Sequence, residues 1–440
     1  MMIALALLTT GTAWAEDLPK DSLKVVDIEE VVVIAAPKEN RKLRELPTAT
    51  TLLSQQDMQA NQVQSVKNLT GIVPNLFIPD YGSKLTTSIY IRGIGSRINT
   101  PSVGLYVDNI PYIDKSAFDF NYADIERIDI LRGPQGTLYG RNTMGGLIKV
   151  HTKSPFTYQG TDIRMGAATY NNYNVSLTHY HRISDRFAFS TGGFYEHAGG
   201  FFENMTRNNE KVDKSNAGGG RFRGIYMPTS NLKIDMTLNY EYGDQGGYPY
   251  EYTGVTQGEE TRPEYIGKIA NNERSGYRRG LLNSGINIEY QARNFILSAV
   301  TGYQNLNDRM FLDQDFTEKD IYTLEQKQRA NTISEEITFK SKPGNNWQWA
   351  TGVSGFYQWL HTTGPVQFGQ EGVRSVIEDN ANEQFENITA GNPRAPKMHM
   401  NINNQGLAVG GSFDTPILNG AIFHQSTFNN LFIKGLSATC

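Results

Sequence analysis

A single cysteine, Cys440, stands in 440 residues. That excludes a disulfide framework and any metal site built from several thiolates. Long apolar runs are equally scarce: only the opening MMIALALLTTGTAWA is apolar over any length, and it is too short to span a membrane as a helix. A strong positive field is missing too. The formal net charge is −4 and the pI near 6.0, which offers no global attraction for nucleic acid. The seven histidines are scattered, and no Ser/His/Asp or metal-ligand spacing stands out. His179-x-His181 puts two imidazoles on one side of a strand, and Met398-His399-Met400 is locally rich in soft ligands, but neither completes a site. The reading is therefore of a protein that is not an enzyme and uses no cofactor.

Glycine and aromatics are abundant: 43 Gly, 23 Tyr and 21 Phe in a chain of mean hydropathy −0.46. That composition favours many short strands over helices. The glycines crowd into LRGPQGTLYGRNTMGGLIKV, residues 131–150. A phosphate loop is excluded there, because Gly146 and Leu147 stand where Lys and Ser/Thr are required. A dinucleotide fingerprint is excluded by the spacing of Gly133, Gly136 and Gly140. The N-terminal apolar run reads as a secretory signal cleaved after Ala15, although basic residues ahead of it are missing; a buried N-terminal helix is the alternative. An exported chain without disulfides or apolar helices has one way left to live in a membrane, the closed β-barrel.

Alternation supports it. In NLKIDMTLNYEYGD, from Asn231, the residues Leu232, Ile234, Met236, Leu238, Tyr240 and Tyr242 share one face, and Lys233, Asp235, Thr237, Asn239 and Glu241 the other. Such a strand is long enough to cross a bilayer when tilted. Trp347, Trp349, Thr351, Val353, Gly355, Tyr357 and Trp359 share a face with aromatics at both ends, the spacing of two interfacial girdles. Further strands are expected at 161–170, 173–182, 186–197, 218–227, 281–290, 294–303 and 331–340, where Glu335 falls on the lipid face. Short connections at 183–186, 228–230 and 342–346 alternate with long ones at 244–279, 305–327 and 361–419, as in outer-membrane barrels; a soluble β-sandwich would also alternate.

Ahead of the barrel, 46–155 reads as a small mixed α/β domain. A helix is expected over 54–69, opened by Ser54 with Asp57 and packing Met58, Val63, Val66 and Leu69. Strands are expected at 88–92, 103–107, 125–131 and 146–152.

These segments, in order, resemble the TonB-dependent outer-membrane receptors. Asp27-Ile28-Glu29-Glu30-Val31-Val32-Val33-Ile34 looks like the TonB box. Then follow Leu46-Pro47, Gly71-Ile72-Val73-Pro74-Asn75, Ile91-Arg92-Gly93-Ile94-Gly95, Val107-Asp108-Asn109-Ile110-Pro111, Ile125-Glu126-Arg127-Ile128-Asp129, and Leu131-Arg132-Gly133-Pro134-Gln135-Gly136 with Tyr139-Gly140. The resemblance implies a plug (46–155) filling an antiparallel membrane β-barrel whose strands begin after 155, with residues 1–15 a signal and 16–45 a segment holding the box.

It further implies that Arg92, Gly93, Arg132, Gly133, Gly136, Tyr139, Gly140, Arg141, Gly145 and Gly146 form the plug motif. Arg92, Arg132 and Arg141 would pair with Glu241, Glu289 or Glu336 on the lumen wall, or bind backbone carbonyls and water instead. Tyr81, Lys84, Arg97, Asn99, Tyr112 and Phe118 are candidate ligand contacts on outward plug loops. Tyr248, Tyr250, Tyr252, Arg262, Arg278 and Arg279 would suit an anionic aromatic chelate in the barrel loops. Glu29 to Ile34 would add as a strand to TonB, energised through ExbB and ExbD, unless that segment is an ordinary edge strand of the plug. The implied function is energised uptake of a scarce nutrient, a ferric siderophore first, across the outer membrane of a Gram-negative bacterium. The residues after 155 suffice for roughly ten strands where the family has about twenty-two, so a fragment is expected, with a truncated non-transporting product as the alternative reading and a soluble periplasmic binding protein behind it.

Overall fold

The computed structural model describes residues 48–439 except 64, 86, 98–99, 122–123, 255–261, 343–344, 393, 404–405, 431 and 434. The leader, the segment Glu29 to Ile34, Asn99 and Cys440 lie outside the described residues.

The plug begins with β1 (Ala49–Ser54) and α1 (Gln55–Ala60). Ser54 caps the helix as the sequence implies: the Asp57 amide donates to Ser54 Oγ at 3.2 Å, and the Ser54 amide to Asp57 Oδ2 at 2.9 Å. The expected helix over 54–69 does not run through. Asn61 turns both its amides back onto the Asp57 carbonyl, and Gln62 takes φ of 51°, which ends an α-helix. Ser65 and Asn68 then start a separate 3₁₀ turn at Val66–Gly71. Met58, Val66 and Leu69 are nonetheless all buried, because the break preserves which residues face the core.

Two short strands follow, β2 (Leu76–Phe77) and β3 (Tyr90–Ile91), paired with each other. The expected strand at 88–92 shrinks to β3 because Arg92 adopts φ of 53°. The main plug sheet adds β4 (Val103–Val107), β5 (Ile110–Tyr112), β6 (Ile125–Arg132) and β7 (Gly146–Thr152), in the order β1-β6-β7-β4-β5. Only β4 and β7 run parallel. Their Val, Ile and Leu side chains pack with the helical turns into one core, and Leu281, Leu306 and Ala330 from the barrel wall complete it. Hydrophobic burial thus continues from plug into wall without a water-filled seam at these points.

The wall is one antiparallel sheet. Ten long strands lie side by side in chain order: Gly160–Ala168, Asn172–Arg182, Phe187–Ala198, Ser215–Thr229, Leu232–Gly246, Gly276–Gln291, Phe295–Asp313, Tyr322–Ser341, Trp347–Thr363 and Ile417–Phe428. The sheet is open, with Gly160–Ala168 at one edge and the short pair Ala438–Thr439 at the other. Plug contacts run from the first long strand, where Asp162 meets Lys153 at 2.5 Å, to the ninth, where Phe356 lies under Arg141, so the sheet curls round the plug as a partial barrel rather than stacking on a second sheet. Alternation is as read: Asp235, Thr237 and Glu241 face the plug and are buried, while Met236, Leu238, Tyr240 and Tyr242 face outward. No helix among the described residues is long and apolar enough to cross a membrane.

Connections are short at one end of the wall and long at the other. The expected long connection at 305–327 reduces to 314–321, because both flanking strands run on past the apolar band, held by inward Leu306, Met310 and Leu312. The connection at 364–416 holds contiguous helical pieces, Gln370–Gly372, Val373–Glu378 and Asp379–Gly391. Glu335 does face outward, where it accepts a hydrogen bond from Thr301 Oγ1 at 2.5 Å.

Candidate functional site

The glycine-rich segment links β6 to β7 as a tight excursion. Gly133 N–H donates to Gly145 O at 3.0 Å, Gln135 N–H to Thr143 O at 2.9 Å, and Gly136–Tyr139 makes one helical turn between them. Two positions demand glycine. Gly140 has φ of 67°, and a Cβ on Gly146 would stand 2.3 Å from Leu131 O and 2.7 Å from Ile91 Cδ1. Tyr139 is buried edge-on to Tyr106 at 5.2 Å, with Lys149 Nζ 4.9 Å from its ring centre.

The plug is held to the wall at the turn after β4. Asp108 accepts from Thr152 N at 2.9 Å, Thr152 Oγ1 at 2.7 Å and Arg221 Nη2 at 2.6 Å. Arg223 Nη1 reaches it at 3.4 Å, and donates to Thr152 Oγ1 at 2.8 Å. The two arginines are further held by Asp124 at 3.2 Å and Asp235 at 2.8 Å. Burial alone would raise the Asp108 carboxyl, but Arg223, Arg221 and the Thr152 hydrogen bonds outweigh it and hold it well below the ordinary carboxylate range. Just beyond, Ile110 fills a notch that two wall glycines leave open. A Cβ on Gly285 would meet Ile110 Cδ1 at 2.3 Å, and one on Gly302 its Cγ2 at 3.1 Å.

A second attachment lies higher. Arg279, 2 % exposed, donates to Glu241 at 2.5 Å and to the carbonyls of Asp119 and Ser116 in the plug. Lys84 lies 3.8 Å from both Glu241 and Glu196. Burial would lower its pKa, but Asp119 and Glu241 more than reverse this and raise it. The neighbouring plug loop is tied to the long connection 247–275: Ser83 Oγ lies 2.9 Å from Tyr248 Oη, and Tyr250 Oη donates to Tyr81 O at 3.0 Å.

Between the plug's outward loops and the wall opens a cavity of about 780 Å³. The plug side offers Arg97, Lys115 and Arg141; the wall offers Gln326, Gln328 and Gln358 with Phe356 and Leu360. Arg141 stands over the Phe356 ring at 5.8 Å, and Arg97 over Tyr81 at 4.4 Å. Lys115 donates to the Arg97 carbonyl, and burial pulls its pKa down despite Asp114. Three cations against one lining carboxylate, Asp114, with amides and a ring opposite, suit an anionic ligand with flat or apolar parts.

Several sequence expectations move. Arg97 and Arg141 line the cavity, and Tyr81 lies behind it beneath Arg97. Lys84 is an attachment residue. Tyr112 and Phe118 are 6 % and 1 % exposed in the plug core, Tyr112 against Phe120 at 5.3 Å; apolar packing outbids ligand contact for both. Arg279 is an attachment residue as well, while Arg278 points outward. Arg132 takes the carbonyl alternative, donating to Pro74 O at 3.1 Å, while Glu241 is taken by Arg279 and Glu289 accepts from Gln291 at 2.9 Å. Sequence reasoning missed Asp108, Arg221 and Arg223, although Arg221-Phe222-Arg223 shows two cations on the inward face of an alternating strand.

Strand register also assembles a group that spacing hid. Ser412 Oγ lies 3.1 Å from His361 Nε2, and Asp414 Oδ1 2.7 Å from His361 Nδ1. Asp414 is 81 % exposed on the outward face, so water screens the carboxylate and the group serves as cross-strand ties.

A plug seated against an antiparallel wall with lipid-type outward faces defines a plug-and-barrel membrane fold. Residues 42–147 match the family described as TonB-dependent Receptor Plug Domain. The chain is 30 % identical over 149 residues to the pesticin receptor of Yersinia pestis, covering 33 % of this chain and 22 % of that receptor. It is 28 % identical over 216 residues to the vitamin B12 transporter BtuB of Vibrio vulnificus, covering 46 % of this chain and 32 % of that one. In fold it is similar to the ferric yersiniabactin uptake receptor FyuA of Yersinia pestis, with TM-score 0.62 at 14 % identity, over 90 % of this chain and 64 % of FyuA. The matched segments thus span about a quarter to a third of the curated relatives. Residues 42–147 thus carry a plug domain of the TonB-dependent receptor type, set against a partial antiparallel wall whose fold is that of plug-and-barrel proteins.

Proposed function

We propose that this chain serves an outer-membrane receptor for energised uptake of a small anionic nutrient, a ferric siderophore first. The observation that carries the reading is the cavity lined by Arg97, Lys115 and Arg141 opposite Phe356. Ferric chelates with several ionised oxygens and aromatic rings fit that mix of cations, amides and ring faces. A relative named for ferric yersiniabactin uptake supports the substrate class. Capture would be passed through the plug to Glu29, Glu30, Val31, Val32, Val33 and Ile34, whose extended strand TonB would receive, with ExbB and ExbD coupling it to the inner-membrane potential.

The test is equilibrium dialysis of the full chain in detergent against radio-iron chelates of differing charge. Anionic chelates should bind, and Arg97→Gln with Arg141→Gln together should weaken them at least tenfold, the loss of two charge-assisted contacts. Equal affinity in the double variant would refute the cavity as the site.

A further inference from the structure

One carboxyl buried close to the ligand cavity has no counter-charge. Asp308 stands on the part of the strand Phe295–Asp313 that runs on past the apolar band, faces inward and is 4 % exposed. Tyr277 Oη donates to its Oδ2 at 2.8 Å, while Oδ1 has no hydrogen-bond partner. The cation opposite it in register, Arg279, is committed to Glu241 and to the Ser116 and Asp119 carbonyls. Asp308 makes no ion pair among the described residues. A carboxyl taken out of water without a cation to meet it holds its proton more firmly.

Its other neighbours do not relieve it. From the plug, Asp114 adds a like charge, Lys115 turns to the Arg97 carbonyl, and Lys84 is held between Glu241 and Glu196. From the connection 247–275, Tyr248 stays a neutral phenol, pushed up to about 12 chiefly by burial. Gln328, opposite Asp308 on the next strand, is uncharged, and Lys327 and Arg329 beside it face the other side of the sheet. Leu306 and Met310 on its own strand are apolar. Burial first, and Asp114 with it, raise the Asp308 carboxyl to about 7, against partial relief from Tyr277, Arg279 and the Gln328 amide. It therefore changes charge in the neutral range, where an ordinary carboxyl does not.

The group sits one strand from the cavity, which Gln328 and Asp114 both line. An anion held against Gln328 lies two strand spacings, about 10 Å, from Asp308. Two unit charges at that distance, with an effective dielectric of about 20, change an equilibrium on the order of tenfold. We propose that Asp308 is a proton switch for anion capture in the cavity. Protonated, it adds nothing to the charge the ligand meets; ionised, it sets a second carboxylate behind Asp114 and weakens binding. Ligand and proton favour each other's binding, so capture tightens as pH falls through the neutral range. This rests on the cavity being the seat of an anionic ligand, and adds how that seat is regulated.

The test is equilibrium dialysis of the full chain in detergent at pH 6 and pH 8 against tris(oxalato)chromate(III), a kinetically inert trianion with no group that titrates between those values. Wild type should bind about fivefold tighter at pH 6, the part of the tenfold effect that falls within that range. Asp308→Asn, which keeps the shape of the protonated form, should hold the pH 6 affinity at pH 8. Tyr277→Phe removes a hydrogen bond to the carboxylate and should move the midpoint of the dependence to higher pH, a displacement that a merely structural role would not produce. Arg141→Gln should weaken the probe at both values and leave the ratio intact. A wild-type ratio below twofold, or the wild-type ratio persisting in Asp308→Asn, would overturn the proposal. Binding that Arg141→Gln leaves unchanged, or no binding at either pH, would instead overturn the cavity reading beneath it.

Discussion

Replacing Asp108 by Asn removes one charge and leaves the shape. Asn tolerates the left-handed backbone, φ of 47°, that Asp108 adopts, so the turn itself should survive. What is lost is the carboxylate that gathers Thr152, Arg221 and Arg223. Breaking a buried ion pair from one side costs about 3–5 kcal/mol. The lower end applies, because Arg221 keeps Asp124 and Arg223 keeps Asp235. A cost of about 3 kcal/mol corresponds to roughly 150-fold more frequent local opening. Hydrogen exchange followed by mass spectrometry should therefore show the amides of β4 and β7 exchanging that much faster, with the wall strands beyond Gly276 unaffected. Arg223→Gln combined with the Asn variant should cost less than the two single changes summed, since they share an interaction. An exchange change below threefold, or strict additivity, would refute the attachment as described.

The same group predicts the response to acid. Its folded-state pKa is depressed, so its contribution is complete above the unfolded carboxyl value near 4 and disappears as pH falls through the lower folded value. Protection of β4 should be unchanged from pH 7 to 5 and decline only in stronger acid; loss already at pH 6 would contradict the sign. Gly146→Ala drives a methyl into the Leu131 carbonyl and should destabilise the plug by about 3 kcal/mol, the upper end for overpacking; denaturant melts of the two forms should not coincide. Glu335→Leu removes a carboxylate from the lipid face and should raise the urea midpoint in vesicles by an amount equivalent to about 1 kcal/mol; a lower midpoint would assign Glu335 a structural role. Val32→Pro deletes an N–H needed for strand addition, so uptake should cease while chelate binding persists; undiminished uptake would remove Val31 to Ile34 from the coupling role.

The wall was legible because a half-buried strand writes its two environments in alternate letters, and Leu232 to Tyr242 needs nothing more to be read. Length was less legible: the strand from Phe295 reaches Asp313 because inward Leu306 and Met310 find partners that only the fold supplies. The helix at 54–69 misled for a local reason, since the apolar spacing survives a left-handed Gln62 that no propensity announces. Glycines told where the chain must turn, but not which arginine meets which acid. Arg132 faces a carbonyl and Asp108 gathers two arginines from a strand about 110 residues away, and such pairings depend on how far round the wall each strand stands. The cavity lining was legible by charge for Arg97, whereas Arg141, expected as part of the plug motif, joins it only through the fold, and Tyr112 and Phe118 lie in the core, because an aromatic beside a loop looks the same in sequence whether it faces cavity or core.

Of the four tryptophans, three share the outward face of the single strand Trp347–Thr363, and Trp14 falls within the cleaved leader if the signal reading holds. Intrinsic emission would then report one strand alone. Trp347 and Trp359 sit at its opposite belts, about 40 Å apart along the chain and roughly 30 Å in depth at a tilt of 40°. Quenchers attached at graded positions along lipid tails would read those two depths without any label on the protein, an optical ruler built into its own side chains.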